Sequence, residues 1–500
     1  MPTSTATRVL SEWVDRKTLF GFAIATTLGV LVAASPIPAF VGIAVCTSLC
    51  LIVRWCRGRM EFWQALVLLA LTPYIILNFG FDNLAINYFP VGELLLLLAL
   101  ALVIRETKSD LLKRTLLDPP VVCLIALLLL SCLHLIIDVP RYGLYAVRDS
   151  SMFFEAVFIV LGIVWAQNPR GTQLLIRWLF LILLVNLFYA YTFSWGERIQ
   201  AASPSFGVFH PVPLLGNYQQ GAHWLLLGAL FFVWLGPSVV RWPRWVLIVL
   251  AAAQLGGLAI LQDRSMYVGM VVIVLILLLF HQTKKLVAFL STIGWGIAFV
   301  LVLSTAVSVL GIKLQGRMGP VDVSFLEEHA KTVLAIGDAN TLMSHDVDRA
   351  DWYGQVWNRV TSSPSNLFVG EGFGQALIHF ANEQGIPVRQ PHNSSLTVLA
   401  RLGFVGLTFW LLFIGMVLVR CVRFLRTPYR SAAVFGLVLW LFLSIIVALL
   451  EASVQPAFEF SHGAIPFYFL VGLAIGLMRN GKGKLDFRPL ATGISNRVAF

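Results

Sequence analysis

Long apolar runs separated by short polar clusters repeat along nearly the whole chain, as in Val121–Ile137, Met266–Phe280 and Phe404–Val419. Each is long enough to cross a bilayer as a helix. None alternates apolar and polar residues with period two, so the pattern fits helices and excludes a membrane β-barrel. The helix-length criterion predicts about 14 spans. They begin near Leu19, Pro36, Phe62, Val91, Val121, Met152, Leu174, Ala222, Trp245, Met266, Leu286, Ser395, Ala432 and Ile465. Only Ser35-Pro36 separates the first two, and Ala33-Ala34-Ser35 also reads as a signal-peptide cleavage site, which is the alternative for that region. The expected organisation is an N-terminal helical bundle over 1–310, a large external loop over 311–393, C-terminal spans over 394–480 and a tail over 481–500.

Composition agrees with this all-α, polytopic, helical membrane fold of about 12–14 transmembrane helices. Of 500 residues, 58% are hydrophobic and 12% charged, with a mean hydropathy of +0.83, more apolar surface than a soluble domain could hide. The net charge of +11 would suit a nucleic-acid partner if it were concentrated in one place. Instead the basic residues fall in alternate loops: Arg54, Arg57 and Arg59; Lys108, Lys113 and Arg114; Arg241 and Arg244; Lys284 and Lys285; Arg420, Arg423, Arg426 and Arg430; Lys482 and Lys484. This is the positive-inside pattern. It places both termini in the cytoplasm and leaves no role for nucleic acid. The cysteines (Cys46, Cys50, Cys56, Cys123, Cys132 and Cys421) lie in or beside spans, without a CxxC pair or metal-type spacing.

With that orientation the chain stays outside from about Gly311 to Pro391, far beyond an ordinary connection. Val323–Ile336 and Arg349–Val360 read as amphipathic helices, the second with Tyr353, Val356 and Trp357 on one face. Gly370, Gly372 and Gly374 then break the helix. A second external segment, Gly196–Gly221, ends in Leu215-Gly216-Asn217, and two shorter ones carry Asp263-Arg264 and Arg148-Asp149.

Arg264 stands at the outer end of a helical hairpin. There it either snorkels or pairs with Asp263, or it uses its planar fork on a lipid-linked phosphate. His392 precedes Asn393 and Ser394, either of which can cap the next helix. The positive end of that helix would keep the imidazole neutral, as a general base requires, although a histidine beside a cap can also be structural. Arg349 reads by itself as a surface helix residue in an Arg–Asp pair, and Arg148 is ambiguous because Asp149 can neutralise it. Glu155 and Arg401, inside spans, are expected to be paired within the bundle, with a phosphate contact as the second reading for Arg401.

These pieces, in order, resemble a known family. Arg349…Trp357, Asn366-Leu367-Phe368-Val369-Gly370-Glu371-Gly372-Phe373-Gly374, His392-Asn393 and Gly403-Phe404-Val405-Gly406-Leu407 are similar to the motifs of the O-antigen ligase and polymerase superfamily. The match covers about Arg349–Val419, and Gln262-Asp263-Arg264-Ser265 and Leu215-Gly216-Asn217 resemble two further family turns. The resemblance implies a metal-independent glycosyltransferase of the bacterial cytoplasmic membrane that needs no cofactor. It would move a glycan from undecaprenyl pyrophosphate to an acceptor sugar, on a glycan or on lipid A–core, at the external face. It further implies that Arg264 binds the pyrophosphate and His392 is the catalytic histidine, with Arg349, Arg148, Asn217, Asn393 and Gly372 expected on the substrate-binding side. Two departures stand out: Asp263 where the family often has serine, and a span count above the family's usual twelve.

Ligase and polymerase share donor and chemical step, and the residues do not choose between them. A metal-dependent enzyme would need clustered carboxylates, for which Asp346, Asp348 and Asp351 are the external candidates. A lipid-linked-sugar transporter or flippase is the alternative from another class, but internal repeats and matched broken helices are not visible in the sequence. The orientation itself is testable with fused reporters. One near Asn340 should be active only outside the cytoplasm and one near Arg426 only inside; a cytoplasmic Asn340 would put the candidate residues in the wrong compartment.

Overall fold

The computed structural model describes residues 60–86, 88–218, 221–309, 315–317, 319–321, 339–381, 387–427 and 432–480, with side chains of the helix beginning at Ala339 described from Arg349 onward. The first two expected spans, the expected helix Val323–Ile336 and the tail lie outside the described residues. What is described is mostly helical, and its strands are four two-residue antiparallel pairs.

The principal helices are α1 (Phe62–Ile76), α2 (Val91–Glu106), α3 (Pro119–Tyr142), α4 (Leu144–Phe154), α5 (Ile159–Trp165), α6 (Pro169–Tyr191) and α7 (Ala222–Trp234). They continue with α8 (Arg244–Leu261), α9 (Arg264–Leu279), α10 (Thr283–Val309), α11 (Ala339–Val360), α12 (Ser394–Arg426), α13 (Ala432–Ala452) and α14 (Ser461–Arg479). Among the described residues seven helical stretches are long and apolar enough to cross a membrane, and α1, α7 and α9 are shorter apolar helices. The chain is therefore an all-α, multi-pass membrane protein. Local chemistry sets the helix starts: Pro119 and Pro169 occupy first turns, and Asn168, Asp263 and Asn393 cap α6, α9 and α12 with their side chains.

α14 forms the axis, packed against α1, α5, α12 and α13. Its approach to α5 needs glycine on both sides. A Cβ on Gly162 would strike the Phe469 carbonyl, and one on Gly472 would strike that of Ile159. The segment Leu144–Trp165 is one broken helix, with a 3-10 turn over Glu155–Phe158 between α4 and α5. Glu155, at that break, is 2% exposed and accepts a hydrogen bond from Ser461 Oγ at 2.6 Å, so it is paired inside the bundle as expected.

A second break positions the rest. Within α12, Gly403 has φ +62°, which leaves the carbonyls of Ala400 and Arg401 without their ordinary helical donors. The glycine-rich loop supplies replacements: Glu371 N–H donates to Ala400 O at 2.9 Å and Gly372 N–H to Arg401 O at 3.1 Å. Neither Gly370 nor Gly403 could carry a side chain there, because the two backbones touch. Arg401, wholly buried, completes the joint by donating to Asp149 Oδ2 (2.8 Å), Gly372 O (3.0 Å) and Gln375 O (2.7 Å). Asp149 Oδ2 also accepts from Gly374 N–H at 3.1 Å and from Arg389 at 3.1 Å, and Asp138 accepts from Phe373 N–H at 2.7 Å. Arg401 is thus paired in the bundle, as its place in a span predicts.

Arg401→Gln should therefore lower stability by about 3–5 kcal/mol, the usual cost of breaking a buried ion pair from one side. It would be read as a large drop in melting temperature in detergent and faster proteolysis of residues 364–381. An unchanged melting temperature would show that the pair does not hold the loop.

Candidate functional site

His392 sits in the turn between the strand pair Phe380–Ala381/Pro387–Val388 and α12. Asn393 is the N-cap and accepts from Leu396 N–H at 3.0 Å, which settles the choice between Asn393 and Ser394. His392 itself has φ +54°, a left-handed conformation uncommon for a residue with a side chain and one that recurs at functional sites. Its ring stands edge-on to Trp352 of α11, centroids 5.1 Å apart, and among the described residues no side chain or backbone group hydrogen-bonds to it.

α11 lies where it does because Trp352, Val356 and Val360 pack on Leu377, Ile378, Leu399 and Ala400. Of the three residues that share a face by spacing, Val356 is buried and Tyr353 half-buried while Trp357 is 50% exposed; the i, i+4, i+8 stripe Trp352–Val356–Val360 faces inward. Arg349, one turn before Trp352, is thereby brought near His392. Loss of hydration, and secondarily the Arg349 charge, lower the His392 pKa to about 4, so the imidazole is neutral at physiological pH.

Arg264 opens α9 after the turn at Gln262, another left-handed residue (φ +54°). Asp263 is held by its capping role, accepting from Ser265 N–H at 3.0 Å and Ser265 Oγ–H at 2.5 Å. Burial, and then the Glu451 carboxylate, raise the Asp263 pKa above the usual aspartate value; Ser265 and Arg317 act against this. Glu451 in turn lies 2.7 Å from His223 Nδ1, both buried.

Arg317 belongs to a short hairpin, Gln315–Gly316 paired with Gly319–Pro320, which rests on the same turn through Arg317 N–H to Ile260 O at 3.2 Å. Although the residue as a whole is exposed, loss of hydration at its head group lowers its pKa; Asp263 opposes the shift, and Arg264 and Arg349 add to it. The three arginines therefore share one field. Of the expected residues, the structure brings Arg264, Arg349, His392 and Asn393 into one neighbourhood, and it adds Arg317, which the sequence reading did not single out. A lone arginine between glycines in a long loop gives no periodic signal.

The others stand elsewhere. Arg148 stacks over Phe209 at 5.0 Å and lines a separate cavity of about 170 Å³ with Tyr88, Phe460, Asp82 and Glu459. Its expected partner Asp149 is taken by Arg389 and Arg401. That cavity backs onto the start of α12, because Glu459 accepts from Ser394 Oγ and Thr397 Oγ1, each at 2.6 Å. Gly372 (φ +79°) sits against Asp138 and His134 in the loop joint, where a Cβ would collide. Asn217 donates to Pro213 O at 2.6 Å within the turn before α7. Asp351 accepts from Gln355, and the side chains of Asp346 and Asp348 lie outside the described residues. No group of three or more His, Cys, Asp or Glu side chains among the described residues is arranged to hold a metal ion.

The chain matches no model of a known protein family, and no curated protein sequence is significantly similar to it.

A histidine with a pKa near 4 is neutral throughout pH 5–8. Site-assigned NMR of the His392 ring should show no titration above pH 5, and added inorganic pyrophosphate should raise its pKa, because an anion among the arginines stabilises the imidazolium. Titration near 6.5, the unperturbed value, would place the ring in solvent and away from Arg349.

Proposed function

We propose that this protein is a membrane glycosyltransferase that takes a glycan from a polyprenyl pyrophosphate and joins it to an acceptor sugar hydroxyl, in the manner of O-antigen ligases and polymerases. The observation that carries the reading is the shared field of Arg264, Arg317 and Arg349 beside a neutral His392. Three guanidiniums set against a cap-bound Asp263 repel one another, and a pyrophosphate among them would relieve that repulsion. Guanidinium forks also suit phosphate oxygens in pairs.

In the reaction, His392 takes the proton of the acceptor hydroxyl as its oxygen attacks the anomeric carbon. The bond from that carbon to the phosphate oxygen breaks, and polyprenyl pyrophosphate leaves with the electron pair. The arginines stabilise the negative charge that gathers on it. The left-handed turn at His392 and the edge contact with Trp352 hold the ring in place before substrate arrives. The cavity with Arg148, Tyr88, Phe209 and Asp82 combines aromatic faces with hydrogen-bonding groups, the chemistry a sugar ring needs, and it lies behind the first turn of α12. We assign the acceptor to that side.

On this reading about 12–14 helices cross the bacterial cytoplasmic membrane, both termini are cytoplasmic and the site faces outward. Neither ligase nor polymerase is favoured.

With lipid-linked donor and purified protein in nanodiscs, His392→Ala should lower turnover by about 10²–10⁴-fold while donor binding survives. Arg264→Ala should lose most transfer and weaken binding, and Arg264→Lys should restore part of it, since an ammonium keeps the charge without the fork. Loss of donor binding in His392→Ala would make the histidine a phosphate ligand, and full activity in Arg264→Ala would remove that arginine from the site.

A further inference from the structure

α3, α12 and α14 run away from the loop joint, and at the opposite end of the bundle they meet again. There an open cavity of about 520 Å³ is lined by Arg114, Asp118, Arg420, Arg423 and Arg479 together with apolar side chains that include Phe424 and Met478. Arg114 comes from the short helix Ser109–Leu116, Asp118 from the residue before α3, Arg420 and Arg423 from the end of α12, and Arg479 from the end of α14.

Basic residues at helix C-termini and in cytoplasmic loops are ordinary, because the helix dipole and the positive-inside rule both favour them. Those rules do not explain why these side chains converge. Arg420 and Arg479 are only 33% and 26% exposed, turned towards an Asp118 that is 7% exposed. Asp118 Oδ1 lies 2.5 Å from Arg420 Nη1, and its Oδ2 lies 3.8 Å from Arg479 Nη1. One carboxylate thus orients two guanidiniums and cannot balance four. The lining is left with more guanidiniums than carboxylates, beside the apolar side chains of Phe424, Ile475 and Met478.

We propose that this cavity binds the phosphate head group of an anionic membrane lipid. Guanidinium forks suit phosphate oxygens, the excess positive charge favours an anion, and the apolar side chains in the open lining suit a ligand that carries acyl chains. A free phosphate offers the same charge without those chains. Occupancy would brace α3, α12 and α14 at the end opposite His392, and it depends on no reading of the chemistry there.

The test uses the full chain purified in neutral detergent, with native mass spectrometry and thermal melting after adding phosphatidylglycerol, phosphatidylcholine or inorganic phosphate. Phosphatidylglycerol should bind and raise the melting temperature, phosphatidylcholine should not, and phosphate should act only weakly. The double variant Arg114→Gln/Arg423→Gln leaves the Asp118 pairs intact. It should bind phosphatidylglycerol about tenfold or more weakly, the loss of charge-assisted contacts, with its melting temperature in phosphatidylcholine unchanged. Equal effects of the two lipids, or a variant that keeps the phosphatidylglycerol shift, would overturn the proposal. A full shift from inorganic phosphate alone would overturn the lipid assignment.

Discussion

The break in α12 at Gly403 is the constraint on which the rest of the structure depends. A helix interrupted inside the bundle exposes carbonyls that lipid cannot satisfy, so another segment must supply donors. The glycine-rich loop does so with Glu371 N–H and Gly372 N–H, and Arg401 locks it by bonding Asp149 and two loop carbonyls at once. A buried arginine and aspartate are costly unless well engaged; Asp149 Oδ2 holds Arg401, Arg389 and Gly374 N–H together, while Asp149 Oδ1 and Arg401 Nε have no hydrogen-bond partner among the described residues. The glycine motif is thus a structural device: its φ values of +92°, +79° and +100° at Gly370, Gly372 and Gly374 let backbone meet backbone.

From that joint the site follows by packing. Leu399 and Ala400, on the stretch of α12 that the loop holds, form the floor for Trp352, Val356 and Val360 of α11. α11 in turn presents Arg349 to His392, whose orientation is set by the Asn393 cap and the edge of Trp352. On the other side, the capped turn at Asp263 and the hairpin at Arg317 bring two more arginines into the same field. The charged residues owe their positions to apolar contacts and backbone hydrogen bonds made elsewhere.

Much of this was legible in the sequence. Apolar runs with punctuating polar clusters located the helices, so Phe62, Val91, Ala222 and Ala432 are starts both as expected and as found. A cap at Asn393 or Ser394 and the breaks at Gly370, Gly372 and Gly374 also follow from residue type alone. Partnerships did not follow. Pairing with Asp149 is one of two readings for Arg148, but adjacent helical residues point apart, and the ion pairs of Asp149 go to Arg389 and Arg401, 240 and 252 residues away. Tyr353, Val356 and Trp357 share a face by spacing, but the stripe that packs inward is Trp352–Val356–Val360, which leaves Trp357 at the edge and 50% exposed. Arg317 and Arg389 carry no local pattern, and only the tertiary joint gives them a place.

The central claim is that the arginines around His392 form one pyrophosphate site, and a cryo-EM map of the protein in nanodiscs with undecaprenyl pyrophosphate tests it most directly. The account predicts density for both phosphates between Arg264, Arg317 and Arg349, with the His392 ring facing the position of the departing glycan. Phosphate density held elsewhere, with these three side chains turned to other partners, would contradict it.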